Sequence, residues 1–322
     1  MRSGLIILLG LSIVANIAFS GFILSSAKPA VKSTPSEANA YPYLSKRLFA
    51  ESQNDFIINF TNLRNKLTSY AAEHRLHNDK TRFSLYFEYL PSGISIGVNE
   101  KDPYIAASLL KVPIIMGVYK YIETGKLSEN TELTLKESDL DPQYGNLWKR
   151  GVGAKLSVRE AIQLTLAESD NTAKSVLFNN VPLETLTDVF EYLDIPNEVI
   201  GNAPVVTTKN YSSILRSLYL STYLSMENSH KLLEKLTESN FSDKIAAGIP
   251  KSIPVAHKIG VHDTQNPEGS IYTDCGIVYI PKRPYILCIM MRNSENDVQT
   301  HMKAISGMIY DFVSSKDFTA SK

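Results

Sequence analysis

Ile271-Tyr272-Thr273-Asp274-Cys275-Gly276-Ile277-Val278-Tyr279-Ile280 and Tyr285-Ile286-Leu287-Cys288-Ile289-Met290-Met291 stand either side of Pro281-Lys282-Arg283-Pro284. Both runs are apolar and rich in β-branched residues, and the spacer holds two prolines, so the stretch reads as an antiparallel hairpin. Val255 to Val261 reads as a third strand just before it. Far upstream, Phe83, Leu85 and Phe87 alternate with Ser84, Tyr86 and Glu88. Pro91-Ser92-Gly93 then turns the chain into Ile94, Ile96 and Val98, a second hairpin. Both groups of strands need partners, and joining them gives one antiparallel sheet.

Helical periods fill the rest. Phe56, Phe60, Leu63, Leu67 and Tyr70 form one apolar stripe, and a last helix is expected over about Val298 to Val313; these terminal helices cover one face of the sheet. In the middle, a helix runs from Ser108 to about Glu123 and stops at Gly125. Ser157 and Glu160 form a capping box for a helix ending near Ala167. Others are expected from about Asn171 to Asn180, through Leu183, Leu186, Phe190 and Leu193, from Thr207 or Thr208 through Leu224, and around Leu232, Leu233 and Leu236. The expected fold is α+β, a three-layer α/β/α arrangement with a mainly antiparallel sheet, plus an all-α lobe of about residues 107–247 inserted in the sheet-containing lobe. Ser108 then falls at the seam between lobes, a usual place for a site.

The 322 residues carry 33 lysines and arginines against 33 aspartates and glutamates, so no basic excess points to nucleic acid. Cys275 and Cys288 are the only cysteines and fall on the last hairpin, where they read as two buried, unpaired thiols. His74 and His77 can share a helix face but lack a carboxylate or cysteine partner, so neither a metal nor a cofactor is expected. Residues 5–24 carry no charge and are long enough to span a bilayer. They read as an uncleaved anchor within residues 1–27, with Ala38-Asn39-Ala40 keeping signal cleavage open as the alternative. Residues 28–50, mixing Pro, Ser, Thr, Ala and Lys, read as a tether to a domain over 51–322. Either reading puts that domain outside the cytoplasm.

Ala107-Ser108-Leu109-Leu110-Lys111-Val112-Pro113 places a hydroxyl and an amine three residues apart, on one helical face. Pro113 cannot donate to the Leu109 carbonyl, so a local kink is expected, either a tolerated irregularity or a bend that sets the tilt of Ser108 and Lys111. Ser169-Asp170-Asn171 and His257-Lys258-Ile259-Gly260 follow in order. Together these motifs resemble the S-x-x-K, S-D-N and K-T-G signature of the class A β-lactamases and related penicillin-recognising serine peptidases. The likeness extends to Leu156-Ser157-Val158-Arg159-Glu160, Thr172-Ala173 and Ile253-Pro254-Val255-Ala256, and spans about residues 51–315.

The resemblance implies Ser108 as nucleophile, Lys111 as its proton acceptor or relay, and Ser169 as proton donor to the leaving nitrogen. It implies Asn171 and Lys258 as substrate-binding groups. The oxyanion hole maps onto backbone NH groups of Ser108 and of Val261, just after Gly260. Asp170 reads as structural. The chain also departs from the pattern. The connection Leu193 to Pro204 is about a dozen residues shorter than the family's Ω-shaped loop and lacks its deacylating glutamate. Glu198 and Glu168 are the substitutes on offer, Glu198 reading otherwise as an exposed loop charge. Ile259 replaces a hydroxyl residue that helps bind the substrate carboxylate, and no arginine or lysine lies between Asp263 and Ile280. Lys258 then acts nearly alone unless Arg292 reaches in. His262, Asp263, Tyr144 and Trp148 are further candidates for lining the cleft.

The expected function is a membrane-anchored, extracytoplasmic serine hydrolase of class A type. It would form an acyl-enzyme with β-lactams or cell-wall peptide amides and release it slowly. A D,D-carboxypeptidase or transpeptidase acting on a peptidoglycan stem peptide, and a non-catalytic β-lactam or cell-wall binding module, are the alternatives. A monomer is the expected state.

Overall fold

The computed structural model describes residues 42–43, 59–196, 198–201, 203–263 and 269–315. Its main sheet has five strands: β1 (Arg82–Tyr89), β2 (Ile94–Val98), β8 (Val255–His262), β9 (Ser270–Val278) and β10 (Tyr285–Asn293). Their order is β2-β1-β10-β9-β8 and every pairing is antiparallel. The two hairpins, distant in sequence, meet along β1 and β10, with Phe87 opposite Leu287.

Side-chain alternation assigns the two faces. Phe83, Leu85, Phe87, Leu287, Ile289 and Met291 pack with Leu63 and Leu67 of α1 (Thr61–Glu73) and with Met302, Ile305 and Ile309 of α8 (Glu295–Ser314). Tyr86, Cys275, Ile277, Ile286, Cys288 and Met290 face the second core. That core is built on α2 (Lys111–Glu123), α3 (Val158–Ala167), α4 (Asn171–Phe178), α5 (Leu183–Tyr192), α6 (Thr208–Leu220) and α7 (Met226–Thr237). The expected sheet and the two helical coverings are present. Phe56 of the first stripe lies outside the described residues, as do the expected anchor, the cleavage pattern and nearly all of the tether. Among the described residues no helix is long and apolar enough to cross a membrane.

Four details differ from expectation. Cys275 and Cys288 are directly opposed on β9 and β10, their Cα atoms 4.0 Å apart, and form a disulfide rather than two free thiols. The register across the turn, with Val278 opposite Tyr285, puts them face to face. The capping box at Ser157 is half formed: Ser157 Oγ accepts the Glu160 NH at 3.1 Å, while the Glu160 carboxylate turns to Arg150 at 2.7 Å. The helix capped by Thr207 ends at Leu220, not Leu224, because Ser221 adopts a left-handed φ of 53°. Finally, the short connection before it is not an open loop. β6 (Val199–Ile200) and β7 (Ala203–Val206) form a small hairpin, and β7 also pairs with β3 (Tyr104–Ile105).

Candidate active site

Ser108 does not begin an α-helix. It lies in a 3-10 turn, Ala107–Leu110, and α2 starts only at Lys111, which puts Pro113 in the first α-helical turn, where its missing NH is tolerated. Ala107 enters the turn with a left-handed φ of 46°. β7 fastens one side, the Pro204 carbonyl accepting the Ala106 NH at 3.0 Å. β8 presses on the other: a methyl group on Gly260 would stand 2.5 Å from Thr273 Oγ1, 3.0 Å from the Ala106 carbonyl and 3.4 Å from Ala107 Cβ, so glycine is what lets the strand lie against both neighbours without a shift.

The three motifs converge on Lys111. Its Nζ lies 3.1 Å from Ser108 Oγ, 3.1 Å from Ser169 Oγ and 2.7 Å from Asn171 Oδ1, and it also reaches the Ser169 carbonyl. Lys258 Nζ approaches from β8, 2.9 Å from Ser169 Oγ and 3.2 Å from the Ile259 carbonyl. Burial is the main reason that the Lys111 amine is pushed down to about 7. The Lys174 cation lowers it further, and Asp170 and Asp141 pull it back up. Lys258 falls well below the ordinary lysine range through burial and then the charge on Lys111, opposed by Asp274.

Ser169 is held between α3 and α4 in a left-handed conformation, φ 58°. Asp170 fixes that turn: its carboxylate accepts the Ala173 NH at 2.8 Å as the cap of α4, and the NH groups of Asn146 and Leu147 at 2.7 and 2.9 Å. The segment 141–147 thus wraps the second motif, with Asn171 Nδ2 donating to Asp141 Oδ2 at 3.2 Å and the Asn171 NH donating to the Tyr144 carbonyl at 3.0 Å. Behind β8, His257 Nδ1 lies 2.8 Å from Asp274 Oδ1, both buried, and Asp274 Oδ2 accepts the Ile245 NH at 3.0 Å.

The match to the model of the beta-lactamase enzyme family runs from residue 62 to 313. The chain belongs to that family. As a family member it is 21% identical over 235 residues to beta-lactamase VEB-1 of Pseudomonas aeruginosa, covering 66% of this chain and 78% of that one. Its fold is that of the solved TLA-3 extended-spectrum beta-lactamase, with a TM-score of 0.71 at 21% identity, over 80% of this chain and 100% of the other. A mutant of PBP-A solved as an acyl-enzyme complex with penicillin G has a TM-score of 0.69 at 23% identity, over 78% of this chain and 96% of the other.

In this family member the residues expected at the centre, Ser108, Lys111, Ser169, Asn171, Lys258 and Gly260, are brought together, and Val261 follows Gly260 on the edge strand β8. Glu198 is exposed at the base of the β6–β7 hairpin, and Glu168 caps the C-terminus of α3. Among the described residues neither hydrogen-bonds Ser108, Lys111 or Ser169. The hairpin roofs an apolar cavity of about 220 Å³ whose lining includes Leu110, Ile114, Phe190 and Pro204 and holds no carboxylate. Arg292, paired on its strand with Arg82 of β1, donates to the Asp79 carbonyl at 3.4 Å.

Asp263 accepts from Ser270 at 2.6 Å, and His262 ends β8. Tyr144 is exposed and rests 6.2 Å, ring to ring, from Phe241, over whose ring the Lys258 ammonium sits at 5.5 Å; Trp148 is half-buried under Lys149. Sequence reasoning missed Asp141, Gly145, Lys174 and Phe241. Lys174 alone left a signal, being one helical turn past Asn171.

Proposed function

We propose that the chain is a serine acyl-transferring enzyme that opens β-lactams or cleaves related cell-wall peptide amides through an acyl-enzyme on Ser108. One observation carries this reading: a buried lysine amine, pushed down to about 7, lies 3.1 Å from the Ser108 hydroxyl. At neutral pH a large fraction of Lys111 is then uncharged, with two N–H donors and one lone pair. The Ser169 carbonyl and Asn171 Oδ1 can only accept, so they use the two donors. The lone pair is left for a hydroxyl.

Ser108 Oγ attacks the substrate carbonyl carbon as its proton passes to Lys111 Nζ. The negative charge that develops on the carbonyl oxygen is taken by the NH groups of Ser108 and Val261, at the turn and the strand edge that Gly260 brings together. When the carbon–nitrogen bond breaks, the Ser169 hydroxyl gives its proton to the leaving nitrogen and recovers one from Lys111. The cycle ends with an ester on Ser108 and a neutral amine on Lys111. Lys258 meets the substrate carboxylate, which favours its charged form at the moment of binding.

Release of the acyl group needs an activated water, and among the described residues neither Glu198 nor Glu168 hydrogen-bonds Ser108 or Lys111, so the ester is expected to persist. A D,D-carboxypeptidase or transpeptidase reading is favoured by the same feature, since a peptide acceptor or a slow water replaces fast hydrolysis. The apolar segment 5–24 supports an anchored, extracytoplasmic enzyme, and the Cys275–Cys288 disulfide suits an oxidising compartment. Intact-mass measurement of the full chain after a penicillin pulse tests the proposal. A stoichiometric adduct that is absent from Ser108→Ala supports it; no adduct at any pH from 6 to 9 refutes it. Release of terminal alanine from a stem-peptide mimic decides between the two substrates.

A further inference from the structure

The nucleophile sits on an irregular turn, so the groups that pin this turn decide where Ser108 Oγ points. Pro204 and Gly260 hold its entrance at Ala106. Its exit is Leu109, the residue after the nucleophile. In an α-helix the carbonyl of residue 109 accepts the NH of residue 113, and here residue 113 is proline, which has none. A backbone NH at the C-terminal end of the turn reaches the Leu109 carbonyl, and a second donor takes the place left by residue 113: the Tyr211 hydroxyl, on α6, donates to the same carbonyl at 3.1 Å. Tyr211 is 1% exposed, and burial raises its phenol well above the ordinary range, so the group stays a donor at every working pH. A phenylalanine would fill the same core space among Ile214, Leu215 and Leu218 but would leave that carbonyl without the hydroxyl.

We propose that Tyr211 is a positioning residue for Ser108: its buried hydroxyl replaces the backbone donor that Pro113 lacks and so fixes the turn carrying the nucleophile. The proposal rests on the acylation reading above, and it makes Pro113 and Tyr211 a functional pair from segments far apart in the sequence. Restoring an NH at position 113 should make the hydroxyl dispensable.

The test compares Tyr211→Phe, Pro113→Ala and the double variant in the full chain, reading the second-order rate of labelling by a fluorescent penicillin, its pH profile, and amide hydrogen exchange of segment 107–113. Tyr211→Phe is expected to slow labelling by about tenfold or more and to speed exchange in the segment, with the acid limb near pH 7 unmoved because the Lys111 amine is untouched. Pro113→Ala alone stays within about twofold of the parent, and the double variant returns to within about threefold of Pro113→Ala. Labelling of Tyr211→Phe at the parental rate, or a loss that Pro113→Ala does not recover, overturns the proposal. If Tyr211→Phe does not fold, recovery of folding and labelling in the double variant supports it, and failure of the double variant overturns it. A parent chain that never labels sinks the acylation reading instead; exchange in the segment then decides the pairing, an unchanged pattern in Tyr211→Phe overturning it.

Discussion

Lys111 Nζ stands 2.7 Å from Asn171 Oδ1, and the Asn171 amide is oriented by its own donation to Asp141 Oδ2 at 3.2 Å. A neutral oxygen at this distance accepts from the amine without holding it charged, whereas a carboxylate there would stabilise the ammonium. With the amine at about 7, the acylation rate is expected to fall about tenfold per pH unit below pH 7 and to level off above it. Asn171→Asp raises the Lys111 pKa, moves that acid limb upward by at least about one unit and lowers the rate at pH 7 by about fivefold or more. Stopped-flow labelling across pH 5 to 9 reads both curves. Superimposable limbs would show that Lys111 is not the group that titrates.

Gly145 adopts a φ of 91°, and a methyl group added to it would collide with the Asp170 carboxylate that caps α4. Gly145→Ala therefore combines left-handed strain with displacement of the side chain that holds Asn146, Leu147 and Ala173. A loss of about 2–4 kcal/mol is expected in urea unfolding, together with loss of labelling. A variant as stable as the parent would mean that segment 141–147 is not what holds the Ser169 turn.

The sheet and its two coverings were legible because period-two and period-3.6 patterns are carried by burial, and burial decides both: Leu85 and Phe87 are on one face and Tyr86 on the other. The motif residues were legible because chemistry fixes their identity. What escaped depends on geometry that pattern alone does not carry. The cysteine pairing depends on register: Val278, not Ile280, stands opposite Tyr285, so Tyr279 and Ile280 join the loop and position 275 falls opposite 288. The β6–β7 hairpin had a local signal that went unused, Gly201-Asn202 between Val199-Ile200 and Val205-Val206, a two-residue turn signature. Asp141 and Tyr211 reach the site from separate elements, so no local pattern marks them. Pro113 was misplaced by one turn because a 3-10 segment precedes the helix.

The Cys275–Cys288 cross-link closes a loop with a sequence separation of 13 between two fully buried side chains, and Cys275 stands opposite Lys258 on the neighbouring strand. Closing a loop of this size removes unfolded-state entropy worth about 3 kcal/mol. The oxidised chain should therefore unfold at a higher urea concentration than the same chain reduced while unfolded and alkylation-free, by a margin corresponding to about 2–3 kcal/mol. Equal midpoints, with oxidation confirmed by mass, would show that the bond adds nothing to stability.

Glu198 is exposed on a hairpin whose underside is apolar, Glu168 is the C-cap residue of α3, and among the described residues neither carboxylate hydrogen-bonds Ser108, Lys111 or Ser169. Geometry must precede pKa in assigning a general base: the carboxylate has to lie within about 3 Å of the water it deprotonates. Both Glu198→Gln and Glu168→Gln are accordingly expected to leave the decay of the penicilloyl adduct within about twofold of the parent, because a base that is not in reach contributes none of the hundredfold or more that general-base catalysis supplies. The adduct is followed by intact mass after excess penicillin is removed. A variant whose adduct outlives the parental one by about a hundredfold would identify that glutamate as the deacylating base. It would also require the hairpin or the end of α3 to swing toward Ser108 once the acyl group is bound.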